Sequence, residues 1–253
     1  MREAKFKVFR GTKENNEFKE YKVPVEEGMV VLDAMHYIQK ELDPELACRW
    51  NCKAAKCGSC SAEVNGKPGL MCKTRLDHFD PEETLTVEPL KTFPVIKDLV
   101  TDVSWNYEMN KKIQGFSPDP NDKQPWTIYQ EDIDRVQEFR KCIECFLCQD
   151  VCHVLRDHDR KDAFIGPRFL VRMAGLEMHP KDTADRIPMI KEQAGIGFCN
   201  ITKCCTEVCP ESIHITDNSI IPLKERVVDE FFDPIMWVLG KMGIGKKKTT
   251  AAK

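Results

Sequence analysis

The sequence predicts an α+β protein, with strands in its N-terminal half and helices in its C-terminal half. Three observations carry this expectation. Apolar residues alternate with period 2 near the start, in Lys5-Phe6-Lys7-Val8-Phe9-Arg10 and again from Glu17 to Val23. From about residue 130 they recur at helical intervals instead. Eleven of the thirteen cysteines fall into three tight groups, one in the first half and two in the second.

Taken in order, the two alternating runs flank a polar turn, Gly11 to Asn16, and predict a hairpin. Val30 to Leu42 predicts a helix, with Val31, Ala34, Met35 and Ile38 at helical spacing and Pro44 just beyond. A cysteine loop follows. Ser61-Ala62-Glu63-Val64 then meets Asn65-Gly66, a strong turn pair. Thr84 to Glu88 predicts a last strand before Pro89. Strand–strand–helix–loop–strand is the order of a β-grasp ferredoxin, here placed over residues 1–113. Pro118, Pro120 and Pro125 interrupt a polar stretch from Gln114 to Pro125, which reads as the link to a second domain.

Residues 126–228 predict an all-α, bacterial-ferredoxin-like domain. Asp132 to Lys141 carries Ile133, Val136 and Phe139 at helical intervals; Phe164 to Met173 follows Asp162 as N-cap; a third helix begins at Pro222 and runs to Val228. Residues 229–253 form an apolar and then basic tail, from Phe231 to Ile244 and on to Lys246, Lys247 and Lys248. The apolar run is too short to span a bilayer. It packs on its own domain, docks on a membrane subunit, or lies at a lipid surface where Trp and Lys are favoured.

The cysteine spacings point to iron–sulfur chemistry. Cys52-x4-Cys57-x2-Cys60, with Cys72 later, is a plant-type ferredoxin spacing for one [2Fe–2S] centre. Gly58, Ser59 and Ser61 are small enough to let backbone N–H groups approach the sulfurs. Cys142-x2-Cys145-x2-Cys148-x3-Cys152 and Cys199-x5-Cys205-x3-Cys209-Pro210 are bacterial-type runs. In two-cluster ferredoxins the fourth cysteine of a run reaches across to the other cluster. Cys142, Cys145, Cys148 and Cys209 are therefore expected on a [4Fe–4S] centre, and Cys152, Cys199 and Cys205 on another. Thr202 stands where the third run would carry its second cysteine. A hydroxyl is a poor soft ligand, so three thiolates predict [3Fe–4S] there. Cys48 and Cys204 read as small buried residues or free thiols; Cys204 as a fourth ligand of the three-cysteine site is left out, because adjacent residues rarely point at one metal from one backbone turn.

Composition excludes several classes. A net charge of −3 gives no basic footprint for nucleic acid. No apolar stretch reaches about 18 residues, so none is expected to span a membrane. Residues 1–10 are charged and lack the apolar core of a secretory leader. Together with an odd cysteine count, this predicts free thiols in a reducing compartment rather than a disulfide scaffold. The non-redox alternative is a zinc-stabilised interaction module.

Two ferredoxin modules with these groups in this order resemble the iron–sulfur subunit of succinate dehydrogenase and fumarate reductase, up to about residue 228. Phe93 to Asp102, Arg140 to Cys145 and Cys209-Pro210 are also similar to that family. The resemblance implies a flavoprotein partner that holds covalent FAD and the dicarboxylate site, so this chain carries no catalytic residue. It further implies a cytochrome b-type membrane anchor, a quinone acceptor, and a peripheral place on the cytoplasmic face of a bacterial inner membrane. The sequence departs from ubiquinone-using members at His153 and Arg156-Asp157, where they carry Pro and Trp, and at Asn200, where they carry His. A menaquinone-type relative, or another quinone position, is therefore expected. His153 is either a tuning or proton-relaying group or a structural one. Arg156, His158, Arg160 and Lys161 form either a solvated face or one that meets lipid phosphates or a quinone site. Another reductase complex, such as a thiol-dependent fumarate reductase or a heterodisulfide reductase, is the alternative redox assembly.

Overall fold

The computed structural model describes residues 2–123, 125–234 and 238. β1 (Arg2–Gly11) and β2 (Asn16–Val25) form the expected antiparallel hairpin, with Phe6 opposite Tyr21. Their alternation buries Phe6, Val8, Tyr21 and Val23 and leaves Lys5, Lys7 and Lys22 outside. α1 (Val31–Tyr37) continues into a wider π turn, Ile38–Leu42, and lays Val31, Ala34, Met35 and Ile38 on the sheet at zero exposure. Burying each such large side chain contributes about 1.5–3 kcal/mol.

β3 (Ser61–Val64) and β4 (Lys67–Leu70) close on Asn65-Gly66, both at positive φ as a tight hairpin turn requires. β4 was not among the expected strands. Its Pro68 and Gly69 mask the strand signal, and both are tolerated because β4 lies at the sheet edge. β5 (Thr84–Glu88) runs parallel to β1 in the middle of a five-stranded sheet ordered β2-β1-β5-β3-β4. A short hairpin, β6 (Val95–Lys97) and β7 (Val100–Thr101), and α2 (Ser104–Lys112) follow. The sequence gives no sign of α2, because it is largely polar and buries only Asn106. Asp98, held at φ 51°, explains the segment from Phe93 to Asp102. Its carboxylate accepts from Gly11 N at 2.7 Å and Ala47 N at 2.8 Å, and so ties the approach to the first cysteine loop onto β1.

The stretch from Gln114 is fastened to the helical half. The buried Arg186 guanidinium donates to the carbonyls of Gln114 and Gly115 at 3.0 and 2.6 Å. α3 (Gln130–Val136) passes into a 3₁₀ turn over Gln137–Lys141, so the expected continuous helix is two pieces. Two short helices, α4 (Leu147–Asp150) and α5 (His153–Arg156), carry the second cysteine run. α6 (Pro167–Glu177) begins three residues later than expected. Asp162 pairs with Arg160 instead of capping it, and the true start is Gly166 at φ 87° followed by Pro167. α7 (Ile187–Glu192), α8 (Cys204–Glu207) and α9 (Ile221–Phe231) complete the helical half around a core of Phe164, Phe169, Leu170 and Leu223. Phe231 and Phe232, at the base of the tail, flank the Lys191 ammonium at 3.7 and 5.1 Å from their ring centres. The rest of the apolar and basic tail, apart from Asp233, Pro234 and Val238, lies outside the described residues. Among those residues no helix is long and apolar enough to cross a membrane.

Sheet and helices meet over a buried charge cluster. Glu63, wholly enclosed on β3, lies 3.0 Å from Arg156 on α5 and 3.2 Å from Lys91. Asp150 on α4 sits beside it and accepts from Thr92 N at 2.9 Å; burial pushes its carboxyl up to about 7. This corrects the reading of a continuous basic face. Arg156 points inward to Glu63, Arg160 is tied to Asp162, and Lys161 to Asp159. Removing one partner from a buried ion pair costs roughly 3–5 kcal/mol. Arg156→Met should fall at the low end, since Arg156 is partly exposed and Lys91 remains. The expected result is a lower melting temperature of the assembled protein by scanning calorimetry. An unchanged transition would mean that Lys91 alone satisfies Glu63.

Candidate functional site

The three cysteine loops share a local device. Non-glycine residues at positive φ occur in pairs two apart in each: Lys53 and Ala55, Glu144 and Phe146, Ile201 and Lys203. Left-handed residues turn successive backbone N–H groups to one side, which makes an anion-binding concavity. In the first loop, Ala54 N and Lys56 N both donate to Cys52 Sγ at 3.3 Å, and Cys72 N to Cys60 Sγ at 3.5 Å. Burial raises the Cys57 thiol, but hydrogen bonds with Ser59 and Cys52 outweigh it and bring it down to about 6. Burial pushes Cys60 up to about 12, with Cys72 and Cys57 adding to the effect. The four thiols of the first group therefore act on one another, as one cage requires.

The second and third runs are built alike. Counted from Cys142 and from Cys199, the left-handed residues fall at the same offsets, and each run then enters a four-residue helix, α4 or α8. Cys148 and Cys205 are the second residues of those helices. The equivalence puts Thr202 at the place of Cys145 and Cys204 at the place of Leu147. The fourth cysteines cross over. Cys142, Cys145 and Cys148 line one cavity with Cys209, among Ile143, Ile213 and Ile215. Cys152 lines the other with Cys199, Cys204 and Cys205. Burial raises the Cys145 thiol to about 12, Cys152 and Cys205 to about 11, and Cys148 well above its ordinary range. Iron binding there has to displace protons that the protein interior otherwise holds on sulfur.

Among the described residues, no three His, Cys, Asp or Glu side chains gather round a single ion. A cluster asks for another arrangement, thiolates spread round a cage of several irons, two to each iron in a [2Fe–2S] centre and one to each in a cubane. The donor sets fit that demand: soft thiolates, amides aimed at sulfur, and apolar walls.

The first and second sites touch. Ser61 Oγ lies 2.9 Å from both the Gly58 and Cys145 carbonyl oxygens and donates between them. A Cβ on Gly58 would come within 2.8 Å of Cys145 Cα. Gly58 and Ser61 thus serve the join between loops, where their small size in the sequence suggests access to sulfur. Lys73 Nζ donates to the Pro210 carbonyl at 2.7 Å, and Lys56 pairs with Glu211 at 3.1 Å. α4, which carries Cys148, packs against α8, which carries Cys205, so the second and third sites are neighbours too. The order in space is first, second, third. Cys48 packs against the N-terminal core, and burial raises its thiol to about 11, as suits a small buried residue.

This is a two-part iron–sulfur protein of ferredoxin type. Residues 5–108 match the 2Fe-2S iron-sulfur cluster binding domain family, and residues 138–213 match the 4Fe-4S dicluster domain family. The fumarate reductase iron-sulfur subunit of Mycobacterium tuberculosis is 31% identical over 78% of this chain and 80% of its own. One of the subunits of the CoM/CoB fumarate reductase of Methanothermobacter marburgensis is 30% identical over 89% of this chain and 44% of its own. A chain of the Mycobacterium smegmatis Sdh1 complex in the apo form is 57% identical, with a TM-score of 0.90 over 92% of this chain and 99% of that one. The chain belongs to the family of succinate dehydrogenase and fumarate reductase iron–sulfur subunits. It spans less than half the length of its relatives from Methanococcus, Methanothermobacter and Methanocaldococcus.

Replacing Gly58 by Ala sets two costs against the join, a left-handed backbone of roughly 1–2 kcal/mol and a backbone clash. Gly28→Ala isolates the first, because Gly28 has φ +84° and nothing within 4 Å of an added Cβ. The Gly58 variant should lose thermal stability beyond the Gly28 variant and assemble less iron. Equal behaviour would show that the loops yield freely.

Proposed function

We propose that this chain is the electron-transfer subunit of a membrane-bound succinate dehydrogenase. Cys52, Cys57, Cys60 and Cys72 hold a [2Fe–2S] centre. Cys142, Cys145, Cys148 and Cys209 hold a [4Fe–4S] centre, and Cys152, Cys199 and Cys205 a [3Fe–4S] centre. Electrons enter from FAD on a flavoprotein partner and leave through a cytochrome b-type anchor to a quinone, with menaquinone favoured. The observation that carries this reading is the spatial order of three thiol cages. The first loop abuts Cys145 through Gly58 and Ser61, and α4 with Cys148 packs against α8 with Cys205. Thr202 at the place of Cys145 supports three thiolates in the last cage. Exposed Ile201 and Asn200 beside that cage, with His153 lining it, support an exit there without a ubiquinone-type Trp and His.

The residue assignment extends to organisation: 1–113 carries the first centre, 126–228 the other two, and 229–253 serves attachment. The names of the relatives favour a second reading, fumarate reduction along the same path. Cluster potentials, set by hydrogen bonds, charge and exposure, decide between the two. Rates in membranes with menaquinone and menaquinol test this: faster succinate oxidation upholds the first reading and faster fumarate reduction the second.

The purified complex should contain about nine irons per chain and show a [3Fe–4S] EPR signal when oxidised. Cys209→Ser should damage the [4Fe–4S] centre first and Cys152→Ser the [3Fe–4S] centre. If each variant lost only the cluster of its own run, the crossed assignment would fall.

A further inference from the structure

Cys204 differs in its surroundings from Cys48, the other unassigned thiol. It lines the cavity shared by Cys152, Cys199 and Cys205. Its Sγ shares a hydrogen bond of 3.2 Å with Thr202 Oγ1. Thr202 occupies the position from which Cys145 serves the neighbouring cage. The Cys204 sulfur is therefore beside the corner that a three-thiolate cage leaves without a ligand. The matching residue of the second run, Leu147, is a buried core side chain at 1% exposure. Cys204 is half-buried, and Thr202 is exposed, so this corner opens outward. Lys203, at φ 66°, sets the turn that brings residues 202 and 204 together.

We propose that Cys204 is a reserve ligand for a fourth iron, which lets the third centre interconvert between [3Fe–4S] and [4Fe–4S]. This rests on the assignment of Cys152, Cys199 and Cys205 to that centre. In the forward step a reduced [3Fe–4S]⁰ core takes up Fe²⁺ and becomes [4Fe–4S]²⁺. The new iron bonds to three core sulfides and to Cys204 Sγ, whose proton passes to water. The electron that brings [3Fe–4S]⁺ to the neutral level comes from the neighbouring cubane or from added dithionite. In reverse, a one-electron oxidant such as ferricyanide removes one electron from [4Fe–4S]²⁺ and yields [3Fe–4S]⁺ and Fe²⁺. A thiolate is the soft donor that iron in such a core prefers, and the Thr202 hydroxyl is not.

The test uses the intact complex. Oxidised protein is first checked for its [3Fe–4S] EPR signal; absence of any such signal would overturn the underlying assignment rather than this inference. Dithionite and ⁵⁷Fe²⁺ are then added, excess metal is removed, and Mössbauer and EPR spectra are recorded. Wild-type protein should gain one iron per chain and lose the [3Fe–4S] signal on mild reoxidation, with ferricyanide restoring it. Cys204→Ser should keep the [3Fe–4S] centre and lose its iron uptake, because a hydroxyl is a poorer donor to such iron than a thiolate. Thr202→Cys in that background should restore uptake by supplying a ligand from the position of Cys145. Alkylation of native protein gives an independent readout: Cys204 should react before iron loading and be protected after it. Uptake that is equal in wild type and Cys204→Ser, no uptake by wild type that holds a [3Fe–4S] centre, or unchanged alkylation of Cys204 after loading would each overturn the proposal.

Discussion

Each thiol-lined cavity in the helical half takes a cysteine from the other run, and this exchange constrains everything around it. Cys209 lies with Cys142, Cys145 and Cys148, and Cys152 with Cys199 and Cys205. Neither run can complete its own cavity. The chain must carry α6 and α7 between the runs and return so that α8 packs against α4. The short helices and left-handed turns follow from that demand. A continuous helix would string the thiols of a run along its axis, at about 1.5 Å per residue, instead of closing them round a cage.

The same constraint explains how the two halves join. A first loop that abuts the second must bring backbone against backbone, and Gly58 is the residue that lets it. The Ser61 hydroxyl and two lysines, Lys56 and Lys73, reach across the same boundary. Glu63, three residues beyond Cys60, meets Arg156, four beyond Cys152. Buried charges are costly unless paired, so this cluster favours one docking geometry over its neighbours. Placement of the redox sites and placement of the halves are thus one problem.

Similar thiols end in different states through their surroundings. Cys57, near hydrogen-bond donors, is held at about 6, whereas Cys60, three residues on and enclosed, is pushed up to about 12. Thr202 and Cys145 occupy equivalent backbone positions with different donor atoms. One backbone pattern can therefore present different donor sets.

Cysteine spacing and strand alternation made much of this protein legible from sequence. The period of Phe6 and Val8 predicted the buried face of β1, because a strand has only two faces. Spacing predicted the loops whose cysteines line shared cavities, because a tight loop has few ways to point several thiols inward. β4 and α2 were not legible: Pro68 and Gly69 suppress the strand pattern, and α2 has almost no apolar face. Arg156 read as part of a surface charge run, since nothing local announces Glu63, a residue 93 positions away. Cys204 read as redundant, because adjacency in sequence argues against a shared site. Only the left-handed turn at Lys203, in the folded chain, puts its sulfur beside Thr202. The sequence by itself determined the kinds of donor and the loops that carry them. The tertiary structure decided which loops meet and which charges are enclosed, because those depend on contacts between residues far apart along the chain.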